Sequence, residues 1–190
     1  MKANITIYCG SSARLPEQFT EAASELGRLI AAAGANLVYG AGRTGLMGAA
    51  ADAALAAGGT VTGVIPDFMV QRGWHHRGLT KMEVTDSMHA RKARMLELAN
   101  GVIALPGGLG TFDELAEAMT WRQLGLYGGN VVIYNVCGYY DAFVSQLHSA
   151  LENGFVNDDH LALFKVVDTA GEAVRCALMP PAKVCLTPKF

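Results

Sequence analysis

The chain has 190 residues, 51% of them hydrophobic and 17% charged, with a formal net charge of −2. That length suits one well-buried domain, and the near-neutral charge argues against a large non-specific nucleic-acid surface. No apolar run is long enough to span a membrane, and the start, Met1-Lys2-Ala3-Asn4, runs straight into a strand pattern with no leader, so a cytoplasmic protein without membrane or nucleic-acid partners is expected.

Strand and helix patterns alternate along the chain. Residues 5–9 read as a first strand ending in Gly10-Ser11-Ser12. Pro16 suits a first helical turn, and Phe19, Ala22, Ala23, Leu26, Leu29, Ile30 and Ala33 recur at helical spacing until Gly34 stops them. A short strand over 36–39 leads into Gly40-Ala41-Gly42-Arg43-Thr44-Gly45 and a small-residue helix over 46–57. Residues 61–65 form a strand stopped by Pro66, whereas 67–80 have no clear period and carry Arg72, Trp74, His75, His76 and Arg77. A strand over 81–84 precedes a helix over 88–99. Residues 101–105 read as a buried strand, followed by a helix over about 111–127. A strand at 131–134, a helical face at 140–151, a last strand at 165–167 and a last helix at 170–178 complete the pattern, with 179–190 an irregular tail. The expected fold is a three-layer, Rossmann-like α/β domain over 1–190 with a mainly parallel central sheet and ligands at the carboxyl ends of its strands.

Two glycine turns follow strands. Gly40-x-Gly42-x-x-Gly45 comes after the second strand, and the next strand ends in Ile65-Pro66 rather than the acid a dinucleotide ribose needs, so NAD binding is disfavoured. Gly45, Gly48 and Ala49 also serve helix–strand packing whatever the ligand. The second turn, Pro106-Gly107-Gly108-Leu109-Gly110-Thr111, joins a buried strand to a helix start. Its backbone N–H groups can approach an anion there, with the helix dipole in support. Glu114 follows three residues after Thr111, which leaves two readings: a capping box, or a carboxylate facing a ligand. One element earlier, Arg91 and Lys92 sit in the first turn of a helix, where cations oppose the dipole unless an anion offsets them.

Met88-His89-x-Arg91-Lys92 combined with Pro106-Gly107-Gly108-x-Gly110-Thr111-x-x-Glu114 resembles the paired signature of the "Lonely guy" (LOG) family of cytokinin-activating phosphoribohydrolases. The likeness extends to Cys9-Gly10-Ser11-Ser12, Tyr39-Gly40-x-Gly42-x-x-Gly45-Leu46-Met47-Gly48, Gly63-Val64-Ile65-Pro66, Thr120-Trp121-x-Gln123-Leu124-Gly125 and Asn135-Val136-x-Gly138-Tyr139-Tyr140, covering about residues 5–150. Two positions depart from it. Ala41 stands where glycine is usual, which matters little if its backbone angles are ordinary, and Cys137 stands where a polar residue is more usual.

The resemblance implies hydrolysis of the N-glycosidic bond of adenosine 5′-monophosphate or an N6-modified riboside 5′-monophosphate, giving free base and ribose 5-phosphate. It implies Arg91 and Glu114 as catalytic residues. It also implies a substrate site of Ser11, Gly42, Met88, Arg91, Lys92, Pro106, Gly107, Gly108, Gly110, Thr111 and Glu114, with no metal and no cofactor. Cleavage builds positive charge on the ribose, which a carboxylate stabilises, and a guanidinium fork holds ribose or phosphate oxygens. A homodimer is expected as well, because the helix over 111–127 carries Phe112, Leu115 and Met119 on one face while Trp121, Leu124 and Tyr127 reach around it.

Two other classes compete with this reading. One is a non-catalytic nucleotide or cofactor carrier of related fold. The other is a lysine decarboxylase, the label often given to this motif, which needs a Schiff-base lysine that none of Lys2, Lys81, Lys92, Lys165, Lys183 and Lys189 suggests. Adjacent His75 and His76 lack the acids or thiols of a metal site and are expected on a mobile loop. Cys9, Cys137, Cys176 and Cys185 form no C-x-x-C pair and are expected as reduced thiols.

Overall fold

The computed structural model describes residues 2–181; Lys183, Cys185, Lys189 and the rest of the expected tail beyond 181 lie outside the described residues. Seven strands form one parallel sheet in the order β4-β3-β2-β1-β5-β6-β7. They are β1 (Asn4–Tyr8), β2 (Asn36–Tyr39), β3 (Thr60–Pro66), β4 (Lys81–Thr85), β5 (Gly101–Ala104), β6 (Asn130–Tyr134) and β7 (Phe164–Val167). The helices are α1 (Glu17–Ala32), α2 (Gly45–Ala56), α3 (Asp67–Gln71), α4 (Met88–Leu98), α5 (Leu109–Gln123), α6 (Asp141–Glu152), α7 (Asp158–Leu161) and α8 (Ala170–Leu178), with a 3₁₀ turn at Val136–Gly138.

The central strands β2, β5 and β6 read as apolar runs because both faces are covered, whereas the edge strands β4 and β7 keep exposed residues. In β1, Ile5 and Ile7 face a core with α1, α2 and α8, which supply Leu26, Ile30, Ala50, Ala54 and Val174. Tyr8 faces the other core, with Met95 and Leu96 of α4 and Leu115 and Ala118 of α5. Thr6 is fully buried between them, and its hydroxyl donates to the Met95 carbonyl at 2.9 Å, so no polar group is stranded. The result is the three-layer α/β fold.

Topology places the functional end. Strand order runs one way from β1 through β2, β3 and β4, and the other way from β1 through β5, β6 and β7. The loops leaving β1 and β5 therefore diverge and open a crevice at the carboxyl edge, where open α/β sheets bind ligands. Backbone bonds lock these loops together: Gly10 donates to the Pro106 carbonyl at 3.0 Å, and Leu46 of α2 donates to the Gly10 carbonyl at 3.0 Å. The Leu46 and Met47 amides in the first turn of α2 are thus taken up by the β1 loop.

The structure differs from expectation at three helices, one of them the four-residue α7, which has no counterpart in the sequence reading. The segment after β3 starts with five-residue α3, too short to show a period. Helix α5 runs over Leu109–Gln123 rather than about 111–127, with Gly108 as its N-cap. Thr111 therefore lies inside the helix, and the capping box read from Thr111-x-x-Glu114 does not form.

Candidate active site

A cleft of about 610 Å³ opens above β1 and β5, lined by residues that include Gly10, Ser11, Gly40, Gly42, Arg91, Gly108, Gly110, Thr111 and Glu114. At its floor Arg91 Nη1 donates to Glu114 Oε1 at 3.0 Å, and both side chains are about 5% exposed. Arg91 Nε donates to the Val64 carbonyl at 3.1 Å, which fixes the guanidinium plane from β3. A methyl on Gly40 would lie 1.7 Å from Arg91 Nη2, so only glycine at the end of β2 lets the guanidinium pass. The cation opposing the α4 dipole is thus met within the chain by a carboxylate from α5.

Burial pushes the Glu114 carboxyl up to about 7 against the pull of the Arg91 charge. A carboxyl raised in the fold contributes stability that is fully present below its ordinary value near 4.5 and is lost as pH rises through about 7. Burial also pushes the Cys9 thiol, at the same floor, well above its ordinary range, so it is no nucleophile at neutral pH.

The second glycine turn forms one wall. The amides of Leu109, Gly110 and Thr111, the first of α5, make no hydrogen bond among the described residues. They meet the cleft with the positive end of a four-turn helix. A methyl on Gly107 would lie 2.1 Å from Thr111 Oγ1 and 2.9 Å from the Gly10 nitrogen, so glycine is what lets this loop close onto β1. Two tyrosines brace the loop from behind: Tyr139 Oη donates to the Gly107 carbonyl at 2.5 Å and Tyr140 Oη to the Leu105 carbonyl at 2.7 Å. Asn135 sets them in place by accepting from the Tyr140 amide at 2.7 Å. No site role for Tyr139 or Tyr140 is legible in the sequence, where they stand only as part of a motif.

The facing wall is apolar: Met47 of α2, Met69 of α3 and Trp74. Arg72 lies over both the Trp74 ring, at 5.0 Å, and the exposed Phe68 ring, at 5.5 Å, and of the two rings Trp74 lines the cleft. The segment is tied down rather than loose. His75 bridges Gly42, the His76 amide donates to the Ala41 carbonyl at 2.9 Å, and the His76 ring bonds Asp52 at 2.8 Å. Ala41 turns its carbonyl to His76 by adopting φ +57°, so its angles are not ordinary, and the usual preference for glycine there follows from that conformation. Cys137 likewise has φ +53° and is exposed, a position that glycine or asparagine tolerates better.

Of the residues expected at the site, Ser11, Gly42, Arg91, Gly108, Gly110, Thr111 and Glu114 line the cleft. Met88, Lys92, Pro106 and Gly107 do not. Pro106 and Gly107 shape the loop through their backbone, while Lys92 points between Asp113 and Glu117, at 3.0 and 3.2 Å. Among the described residues, no group of three or more His, Cys, Asp or Glu is gathered as for a metal ion, and no helix is long and apolar enough to cross a membrane. No described lysine lines the cleft, so the residues there do not fit a Schiff-base cofactor.

The family model described as "Possible lysine decarboxylase" matches residues 47–176. The cytokinin riboside 5′-monophosphate phosphoribohydrolase of Rhodococcoides fascians is 43% identical over 154 residues, covering 80% of this chain and 78% of its own. The cytokinin riboside 5′-monophosphate phosphoribohydrolase LOG of Oryza sativa subsp. japonica is 39% identical over 170 residues, covering 90% of this chain and 70% of its own. Among solved structures, the molybdenum cofactor carrier protein of Chlamydomonas reinhardtii superposes with a TM-score of 0.71 at 25% identity, covering 92% of this chain and 95% of its own.

Proposed function

Because the chain belongs to the family of the cytokinin riboside 5′-monophosphate phosphoribohydrolases, we propose that it is a single nucleotide-binding domain that hydrolyses the N-glycosidic bond of such nucleotides at the cleft above β1 and β5. The observation that carries this reading is the buried Arg91–Glu114 pair beside the free N-terminal amides of α5. In this reading the 5′-phosphate sits on Gly108, Gly110 and Thr111, and the ribose lies over Arg91 and Glu114. As the bond to the base breaks, its electron pair leaves with the base and positive charge grows on the sugar. The Glu114 carboxylate stabilises that charge and takes a proton from the attacking water, which adds to the sugar, and that proton passes through solvent to the departing base. The remaining N–H groups of Arg91 orient sugar or phosphate oxygens while one of its bonds keeps Glu114 aimed.

The phosphate supplies binding energy remote from the reacting bond, so 5′-monophosphates should be cleaved and the corresponding nucleosides should not. Met47, Met69 and Trp74 give the base an apolar wall, which suits an N6 substituent of hydrocarbon character better than the bare amine of adenosine 5′-monophosphate. Steady-state rates on N6-isopentenyl AMP, AMP and their nucleosides test both points. The expected order is N6-isopentenyl AMP, then AMP, with nucleosides at background. Equal rates on nucleosides and nucleotides would remove the phosphate from this placement, and a preference for AMP would remove the substituent from the apolar wall.

The working form of Glu114 is the carboxylate, so kcat/KM, which follows the free enzyme, should rise with pH, with a midpoint near 7. A kcat/KM flat between about pH 6 and pH 8 would show that Glu114 is ionised throughout or plays no part.

The reading extends to a homodimer. The structure buries Tyr127 within its own chain and half-buries Trp121, so neither needs a partner as the sequence pattern suggests, but Leu124 and Leu126 after α5 stay 50% and 67% exposed. Sedimentation at micromolar concentration should give a dimer that Leu124→Glu weakens; a stable, fully active wild-type monomer would refute it.

The second reading, a carrier, is supported by the likeness to the molybdenum cofactor carrier. A carrier needs no buried carboxylate facing its ligand, and Glu114 in the cleft weighs for hydrolysis.

A further inference from the structure

We propose that Lys92 is a positioning residue: by bridging Asp113 and Glu117, on either side of Glu114 along α5, it fixes the orientation and charge environment of that carboxylate without touching substrate. The inference rests on the reading of Glu114 as the working carboxylate.

The geometry is a double clamp. Consecutive residues of α4, Arg91 and Lys92, pair in reverse order with consecutive residues of α5, Glu114 and Asp113. Lys92 Nζ lies 3.0 Å from Asp113 and 3.2 Å from Glu117, and the Lys92 side chain is only 12% exposed. Lys92 does not line the cleft, whereas its neighbour Arg91 does. Burial works against the Lys92 ammonium, and the two carboxylates outweigh burial, so it stays charged well past neutral pH.

Two consequences follow from chemistry. Asp113 and Glu117 stand four residues apart on one helix face, where like charges repel, and Lys92 cancels that repulsion. The charges that act on Glu114 are Arg91 and Lys92 from α4 and Asp113 on its own helix, while the neighbouring Tyr8 of β1, Cys9 after it and Tyr140 after β6 are neutral groups whose own ionisation Glu114 opposes. Glu117 acts through its bond to Lys92. Asp113 makes the Glu114 proton harder to remove, and Lys92 makes it easier. Without Lys92 the balance tips toward the protonated acid, while the substrate contacts remain.

The test is the pH dependence of kcat/KM, with kcat and KM resolved at each pH, for Lys92→Met, Lys92→Arg, Asp113→Asn and the triple variant Lys92→Met/Asp113→Asn/Glu117→Gln. Lys92→Met should raise the midpoint of kcat/KM by about one pH unit and so lower kcat/KM at pH 7 about fivefold, with KM changed by less than about twofold. Lys92→Arg should stay near wild type, and the triple variant should return the midpoint toward the wild-type value. Should Lys92→Met not fold, Asp113→Asn decides: its midpoint should fall, and an unchanged midpoint refutes the proposal. A Lys92→Met enzyme with KM raised about tenfold and an unmoved midpoint would make Lys92 a substrate ligand instead. Carboxyl ¹³C NMR, with the Glu114 signal assigned by its loss in Glu114→Gln, follows the same midpoint without any turnover. Failure of hydrolysis and failure of this inference are therefore distinguishable.

Discussion

Glu114→Gln is expected to reduce kcat by about 10²–10⁴-fold while leaving a folded protein that still binds nucleotide. The amide keeps an oxygen to accept from Arg91, so the guanidinium is not stranded, but it loses the charge that stabilises the sugar and the base that takes a proton. Glutamine is the informative replacement. Glu114→Ala would leave the Arg91 charge buried without its carboxylate, a loss of about 3–5 kcal/mol, far more than the roughly 1 kcal/mol of a helix cap. Thermal denaturation separates the two variants: a modest fall of a few degrees for Glu114→Gln, a larger one for Glu114→Ala. Turnover by Glu114→Gln close to wild type would reduce Glu114 to a structural partner of Arg91.

Arg91→Lys is expected to lose activity by about 10²-fold or more, although the charge is retained. Arg91 is held at three places: its Nε on the Val64 carbonyl, its Nη1 on Glu114, and its Nη2 over Gly40. A single ammonium cannot make the first two bonds in their planes, so Glu114 loses its aim and the Val64 carbonyl its donor. Gly40→Ala should mimic part of this defect without touching the charge, because its methyl would displace a guanidinium that has no slack. Kinetics on the same nucleotide check both. An Arg91→Lys enzyme within a few-fold of wild type would mean that only charge matters there.

Much of the fold is legible in the sequence because parallel strands buried on both faces read as unbroken apolar runs. Leu37 to Tyr39, Val102 to Leu105 and Val131 to Tyr134 each do so, with helical periods between them. What escapes has local causes. Helix α3 has too few residues for a period, and so Met69 and Trp74 are not recognisable as one wall of the cleft. Helix α5 starts on Leu109 and Gly110, residues whose propensities give no strong start signal. Thr111 then mimics an N-cap, and Glu114 mimics its capping-box partner. The Arg91–Glu114 pair is visible only as two motifs, because the contact depends on the positions of α4 and α5 over adjacent parts of the sheet. Lys92 reads as a ligand because it neighbours Arg91, yet the next residue on a helix points about 100° away, and here it meets Asp113 and Glu117.

The central claim is bond cleavage at this cleft, and product identification tests it most directly. The wild-type protein incubated with N6-isopentenyl adenosine 5′-monophosphate should release free N6-isopentenyladenine and ribose 5-phosphate in equal amounts, over many turnovers per chain. Recovery of the nucleotide intact, bound or unbound, with neither product formed, would contradict hydrolysis.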